Sequence, residues 1–401
     1  MGRRLLLVLV VFGIAAVAAV PAALAAPPLQ LDTGFGSQGL VTDPEAPPGF
    51  DEVEAMTVAP GRSIYVAAGS VKDPSTVVIA RYWRDGELER SFGNRGYLTL
   101  QGLGPVKALA ADNSGRLLVL SQEATISRIA GGRLDPTFGV GGSVSMAGLG
   151  LGDLFLRSLA ALPGGAVAAA GSSPAGQMVV VELGPTGAPD TSFNGTGSRV
   201  VRFGPGIYGG ANLVKPQDDG KLVLAGEAKN RPALARLLPD GRLDPGFGRD
   251  GRVRSPHRLR GRITALAVRR DGSIVAGANG TTSYPGWNRA MLLRYSPTGE
   301  LDRGFGGIAA AGSRNGPHSI PVAVMRARRH NFLVTRGSGP SIRAYEPNGQ
   351  PLSLGPVPGI PVDVRRRIAA APQSRELVVA WTPPSSLPQG GEVELARFVV
   401  R

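Results

Sequence analysis

Short apolar runs rich in Val, Ile, Leu and Ala recur along nearly the whole chain, each closed by a turn that commonly carries Gly. One set opens each unit, at residues 53–58, 106–111, 156–162, 211–215, 263–268, 321–325 and 368–371. A tight turn follows, among them Pro60-Gly61, Ser114-Gly115, Gly164-Gly165, Asp219-Gly220 and Asp271-Gly272. Such dipeptides supply the positive φ angles of a hairpin. A second run comes next, at 64–68, 117–120, 166–170, 222–225, 274–276, 332–335 and 377–381. A variable loop leads to a third, at 77–83, 125–129, 178–183, 233–238, 291–295, 341–345 and 393–400. No unit holds a stretch of helical period, and β-branched residues crowd the runs, so a helical solenoid is disfavoured.

After the third run and another turn (Asp85-Gly86, Asp240-Gly241, Thr298-Gly299) the chain writes one string repeatedly. Leu134-Asp135-Pro136-Thr137-Phe138-Gly139 is its clearest copy, and its phenylalanines fall at 35, 92, 138, 193, 247 and 305. A fourth short strand is expected after it, at 39–42, 97–100, 143–146 and 252–254. Four short strands per unit of about 54 residues predict an all-β fold: a seven-bladed β-propeller of four-stranded blades. The C-terminal residues 393–401 end on a third strand, whereas the string at 31–36 has no first three strands before it. Joining the two completes a seventh blade, so the ring is expected to close by pairing the N-terminal strand with the C-terminal blade, which removes open sheet edges. The sixth unit is eroded, with Leu354 in place of Phe.

The string, the Asp-Gly hairpin and the Ala-Arg strand together resemble the delta-sixty repeat of secreted bacterial proteins, over essentially the whole of residues 27–401. The resemblance implies a propeller-like fold and secretion, and no particular activity.

Composition adds an address and removes some chemistry. Arg3 and Arg4, the apolar run at 5–20 and Ala23-Leu24-Ala25 read as a signal peptide over residues 1–26. Residues 27–401 form the single propeller domain, with no further segment apolar enough to span a membrane. The chain has no cysteine, which excludes disulfides, thiolate catalysis and thiolate-held metals. The formal charge is +14, and all but five of the 44 basic residues are Arg. An anionic partner is one reading of that excess, and solubility of a secreted protein is the other.

Arg81, Arg128, Arg236, Arg294, Arg343 and Arg397 recur in the third strands, with Glu182 in the odd place, and most precede the acid of the string by seven or eight residues. A pair repeated blade by blade is expected to be structural. Two Arg groups stand outside the repeat. Arg269, Arg270, Arg328 and Arg329 flank first hairpin turns and are the candidate polyanion site. Arg258, Arg260, Arg262, Arg365, Arg366 and Arg367 lie where the chain enters first strands, on the opposite face. Tyr208, Tyr284 and Trp287 in variable loops are candidate anchors for a sugar or protein. His257, His318 and His330 share no ligand spacing, and no nucleophile elbow, phosphate loop or zinc motif is present.

The function expected is that of a secreted or cell-envelope binding scaffold without catalytic residues, cofactor or metal. Its partner would be a protein or an anionic cell-wall glycan or polymer, and nucleic acid is not expected. The alternative is a propeller hydrolase or lactonase with acids around the central channel, where Glu54 and Asp363 are among the few candidates.

Overall fold

A computed structural model of the chain describes residues 29–257, 259–281, 289–305, 309–311, 320–327, 330–336, 341–350, 368–373, 376–382 and 393–400. The expected signal peptide, Asp363 and the eroded string around Leu354 lie outside them. Among the described residues no helix is long and apolar enough to cross a membrane.

Seven antiparallel sheets follow one another along the chain. Blade four is representative: Gly209–Pro216 is innermost, then Leu222–Ala228, Pro232–Leu237 and the outer strand Arg252–Arg254. In blade six the described strands are three, Ile320–Ala327, His330–Arg336 and Ser341–Tyr345. The seventh blade is composite. Ile368–Gln373, Glu376–Trp381 and Glu394–Val400 come from the C-terminus, and Leu29–Leu31 and Leu40–Thr42 from the N-terminus both pair with Glu394–Val400. Leu31 lies opposite Phe398, and Val41 opposite Leu395.

The ring is closed as the repeat phase predicts. Each inner strand touches the next, and that of blade seven touches Glu52–Val58 of blade one. Seven apolar clusters fill the seven spaces between blades. An open row of seven blades would have only six such spaces. The cluster that joins blades seven and one packs Phe35, Val41 and Leu395 against Val53, Val66 and Val78. Small side chains such as Ala168, Ala170, Ala225 and Ala276 let the sheets approach face to face.

The repeated string is the joint between blades. Phe138, Phe193, Phe247 and Phe305 are fully buried, each in the cluster shared with the following blade. Leu88, Leu243 and Leu301 pack backwards, into the cluster shared with the preceding one. The string therefore clamps its blade on both sides. The glycine after Phe is left-handed (φ 60° at Gly139), and a Cβ there would lie 2.1 Å from the Ser143 carbonyl oxygen. Blade three uses Asn194 instead, which tolerates φ 54° and donates from Nδ2 to the equivalent carbonyl of Ser198 at 2.7 Å.

Candidate binding face

The third-strand arginines do what their spacing suggests. Arg128 Nε lies 2.8 Å from Asp135, Arg236 Nε 2.8 Å from Asp244, Arg294 Nε 2.7 Å from Asp302, and Arg397 Nε 2.8 Å from Asp32. Each guanidinium also sits 4.5 to 4.9 Å over the Phe ring of its string, a cation–π contact. Its Nη1 crosses to the next blade, donating to the carbonyls of Pro185, Pro297, Pro347 and Arg84 respectively. Burial opposes ionisation of Asp135 and Asp244, but their hydrogen bonds to Thr137 and Gly246 and the facing arginines outweigh it and hold both carboxyls below the usual range. Blade one is looser: Arg81 Nε lies 2.8 Å from Glu89 Oε2, yet its N–H is not aimed at that oxygen.

Two blades depart from the pattern. Arg343 is exposed and stands one residue out of phase. The buried Ala344, three residues before Pro347, holds the place that Arg294 holds before Pro297. In blade three Glu182 faces Asp190 with no guanidinium between them, and burial, then the charge of Asp190, push Glu182 up to about 7.

The inner strands form a second ring of joints. Six carry a one-residue register shift, a β-bulge that turns an extra side chain out of the ladder: Glu54, Lys107, Arg157, Asn212, Thr264 and Val322. Glu54 Oε2 accepts from the Val106 amide at 2.6 Å, Asn212 Nδ2 donates to Ile263 O at 2.8 Å, and Thr264 Oγ1 to Pro321 O at 2.8 Å. Each of these bonds crosses to the next blade's inner strand. Glu54 is thus spent on the scaffold. Lys107 and Arg157 instead bond within their own blades, to Gln122 and Ser172, and remain exposed.

The two faces of the ring carry different candidates. Arg269 and Arg270 lie on the lower face, where the inner strands end. Arg269 Nη1 is held 3.0 Å from Asp271 and 2.9 Å from Ser273 Oγ, while Arg270 is exposed. Arg328 and Arg329, their expected companions, lie outside the described residues. The upper face, where the inner strands begin, carries Tyr208, which is 67% exposed, and Phe155, 59% exposed. Tyr284, Trp287, Arg258, Arg365, Arg366, Arg367 and His318 lie outside the described residues. His257 and His330 stand on different blades, and no group of three or more acids or histidines among the described residues could hold a metal ion.

Sequence reasoning missed the tip of blade four. The hairpin Ala228-Lys229-Asn230-Arg231 is closed by hydrogen bonds in both directions between Ala228 and Arg231, with Lys229 at φ 50° and Asn230 at φ 55°. Lys229 N donates to Tyr208 O at 2.6 Å, and Asn230 O accepts from Gly261 N at 2.9 Å. Burial and the nearby Arg254 hold the Arg231 guanidinium below the usual arginine range. The available signal was the strand-end position of Lys229, Arg231 and Arg254, which strand phase alone places on one face.

Residues 217–247, from the first hairpin of blade four to the Phe of its string, match the family described as "Domain of unknown function (DUF5122) beta-propeller". None of the curated proteins matches the chain. Among solved structures, the computationally designed Ika8 protein is 16% identical over 83% of this chain and 81% of its own, with a TM-score of 0.45. The extracellular domain of BT4673 from B. thetaiotaomicron is 8% identical over 86% of this chain, which spans only 39% of that one, with a TM-score of 0.46. Blade topology, ring closure and the matched segment together make this chain a seven-bladed β-propeller.

Proposed function

We propose that the chain is a secreted or cell-envelope binding scaffold of the delta-sixty type, without catalytic residues, whose upper face takes the partner. The observation that carries this reading is the division of labour among its polar groups. The repeated Arg, Asp and Glu54 side chains are committed to bonds within and between blades, whereas cations and aromatics that belong to no repeated joint, Arg157, Tyr208, Lys229, Arg260 and Arg262 among them, stand exposed on the upper face. A hydrolase or lactonase would need acids free to act at the channel, and Glu54 is already bonded. The partner classes that suit this face are an anionic envelope polymer or a protein.

The test is retention of the purified protein on isolated cell envelopes, run beside a panel of lactones and esters with and without calcium. Saturable retention without turnover supports the scaffold. Turnover lost on substitution of Glu54 would replace it with the enzyme.

A further inference from the structure

Lys72 and Lys107 stand apart on blades one and two, but most described cations of the upper face are gathered over blades three to five. A chain of backbone contacts brings them together. Arg157, on the bulge of blade three, stands beside Gly210: a Cβ at Gly210 would lie 3.7 Å from Arg157 Nη1. Gly209 N donates to Gly176 O at 2.7 Å, which seats Tyr208 beside the blade-three hairpin. Tyr208 bonds Lys229, and Asn230 bonds Gly261, which is flanked by the exposed Arg260 and Arg262. Arg254 ends the outer strand next to Arg231, where Ser255 N donates to Pro232 O at 2.9 Å. In order along this arc stand Arg157, Tyr208, Lys229, Arg231 with Arg254, then Arg260 and Arg262.

None of these cations is ion-paired among the described residues. That contrasts with the third-strand arginines, which mostly have an acid in contact. The acids of the same face are spread more widely: Glu45, Asp51, Glu52 and Asp73 stand around blade one, Glu123 on blade two, Asp153 before the inner strand of blade three, and Glu227 near the end of the second strand of blade four. Solubility alone does not require same-sign crowding. Arg231 beside Arg254 raises the cost of keeping both charged, and an anion relieves it. The hairpin also holds a lysine in a left-handed conformation that favours Gly or Asn. At the middle of the arc, the exposed Tyr208 ring offers a flat apolar platform of the kind on which a sugar ring stacks, with cations on either side.

We infer that this arc binds a linear anionic polysaccharide, with Arg157, Lys229, Arg231, Arg254, Arg260 and Arg262 meeting its acidic groups and Tyr208 stacking on a sugar ring. The inference rests on the scaffold reading and adds the residues and the chemical class. Charge binds any polyanion, so the aromatic platform is what favours a sugar polymer over a membrane surface or a nucleic acid.

The experiment measures binding of the purified protein to a heparin-derived decasaccharide and to a polygalacturonate oligomer across a salt series. Neutral dextran, inorganic polyphosphate, anionic lipid vesicles and a single-stranded oligonucleotide are run alongside. Both anionic sugars should bind and dextran should not. Replacing Arg231, Arg254, Arg260 and Arg262 together by Ser should flatten the slope of log affinity against log salt by roughly 3. Tyr208→Ala should weaken the sugars and leave polyphosphate unchanged. Arg270→Ser, on the other face, should change neither, and circular dichroism on every variant separates lost binding from lost fold. Equal loss with Arg270→Ser, or equal weakening of polyphosphate by Tyr208→Ala, would overturn the assignment. So would tighter binding of the vesicles or the oligonucleotide than of either sugar. If the protein is retained on envelopes but ignores both sugars, the arc fails and the scaffold survives; if neither binds, both fail.

Discussion

Arg397 and Asp32 stand 365 positions apart in the chain and form an ion pair of 2.7 to 2.8 Å. It is the blade-seven copy of the pair that Arg128 and Asp135 make within one blade, but here the acid comes from the opposite end of the polypeptide. Arg397 also covers the Phe35 ring and donates to the Arg84 carbonyl of blade one, so one guanidinium ties both termini to the first blade.

Removing one partner of a largely buried pair strands the other charge. Arg397→Ala should cost about 3 kcal/mol and Asp32→Ala somewhat less, since Asp32 keeps 24% of its side chain exposed. Deleting residues 31–42 removes the closing strand and its string together, and should lower the melting temperature of the whole protein. An unchanged melting curve for the deletion would refute closure.

Blade three offers the converse change. Glu182→Arg should recreate the pair with Asp190, cover Phe193 and face the Pro239 carbonyl, the counterpart of Pro185 and Pro297. We expect a rise in melting temperature of about 2 °C, seen by scanning calorimetry, with Glu182→Ala giving less.

The same residue fixes the sign of one pH effect. Its folded pKa, about 7, lies above the ordinary glutamate value of 4.5, so the folded state binds the proton more tightly than the unfolded chain. Its contribution therefore favours folding on the acid side and is lost as pH rises from 4.5 through 7. In Glu182→Gln, denaturant midpoints should fall less between those values than in the parent protein.

Asp135, Asp244 and Asp302 work in the other direction. Their carboxyls are held below 3.8, so the stability they give is present above that value and lost as pH falls through the folded pKa. Asp244→Asn should be less stable near neutrality and show a shallower acid limb. A limb of unchanged steepness would remove Asp244 from the account.

The interblade role of the turn before the string separates from a purely local turn role by comparing two turn glycines. Gly115 and Gly187 have similar φ, 77° and 84°, but a Cβ at Gly115 meets nothing, while at Gly187 it meets Val144 at 2.6 Å and Gly139 N at 3.1 Å across the blade boundary. Gly115→Ala should cost about 1 kcal/mol, and Gly187→Ala roughly 2 kcal/mol more, from the boundary it would force apart. Equal costs would leave the turn purely local.

Strand phase and repeat spacing made the fold readable, because a period-2 pattern cut by glycine turns admits few architectures. The composite blade was readable for the same reason: the string at 31–36 lacks a third strand and the segment at 393–400 lacks a string. Arg343 misled because spacing along one strand does not show which of two adjacent residues faces the string; the Pro at 347 holds that phase. The upper-face arc was only partly readable. Arg260 and Arg262 are visible as a cluster, but Lys229, Arg231 and Arg254 are scattered in sequence and meet only because the hairpin tip and the outer strand end on the same side of one sheet.

The shared seventh blade also sets an order of events. Leu29–Leu31 and Leu40–Thr42 are among the first described segments to be made, and their partner Glu394–Val400 is the last. At a synthesis rate of about 5–20 residues per second, the opening strands wait tens of seconds for it. Through that interval Phe35 and Val41, which end in the seam between blades seven and one, lack half their partners. The chain's earliest sequence is thus its latest structure, and a nascent chain cut short anywhere before the final strand is left with an open ring and two unpaired sheet edges.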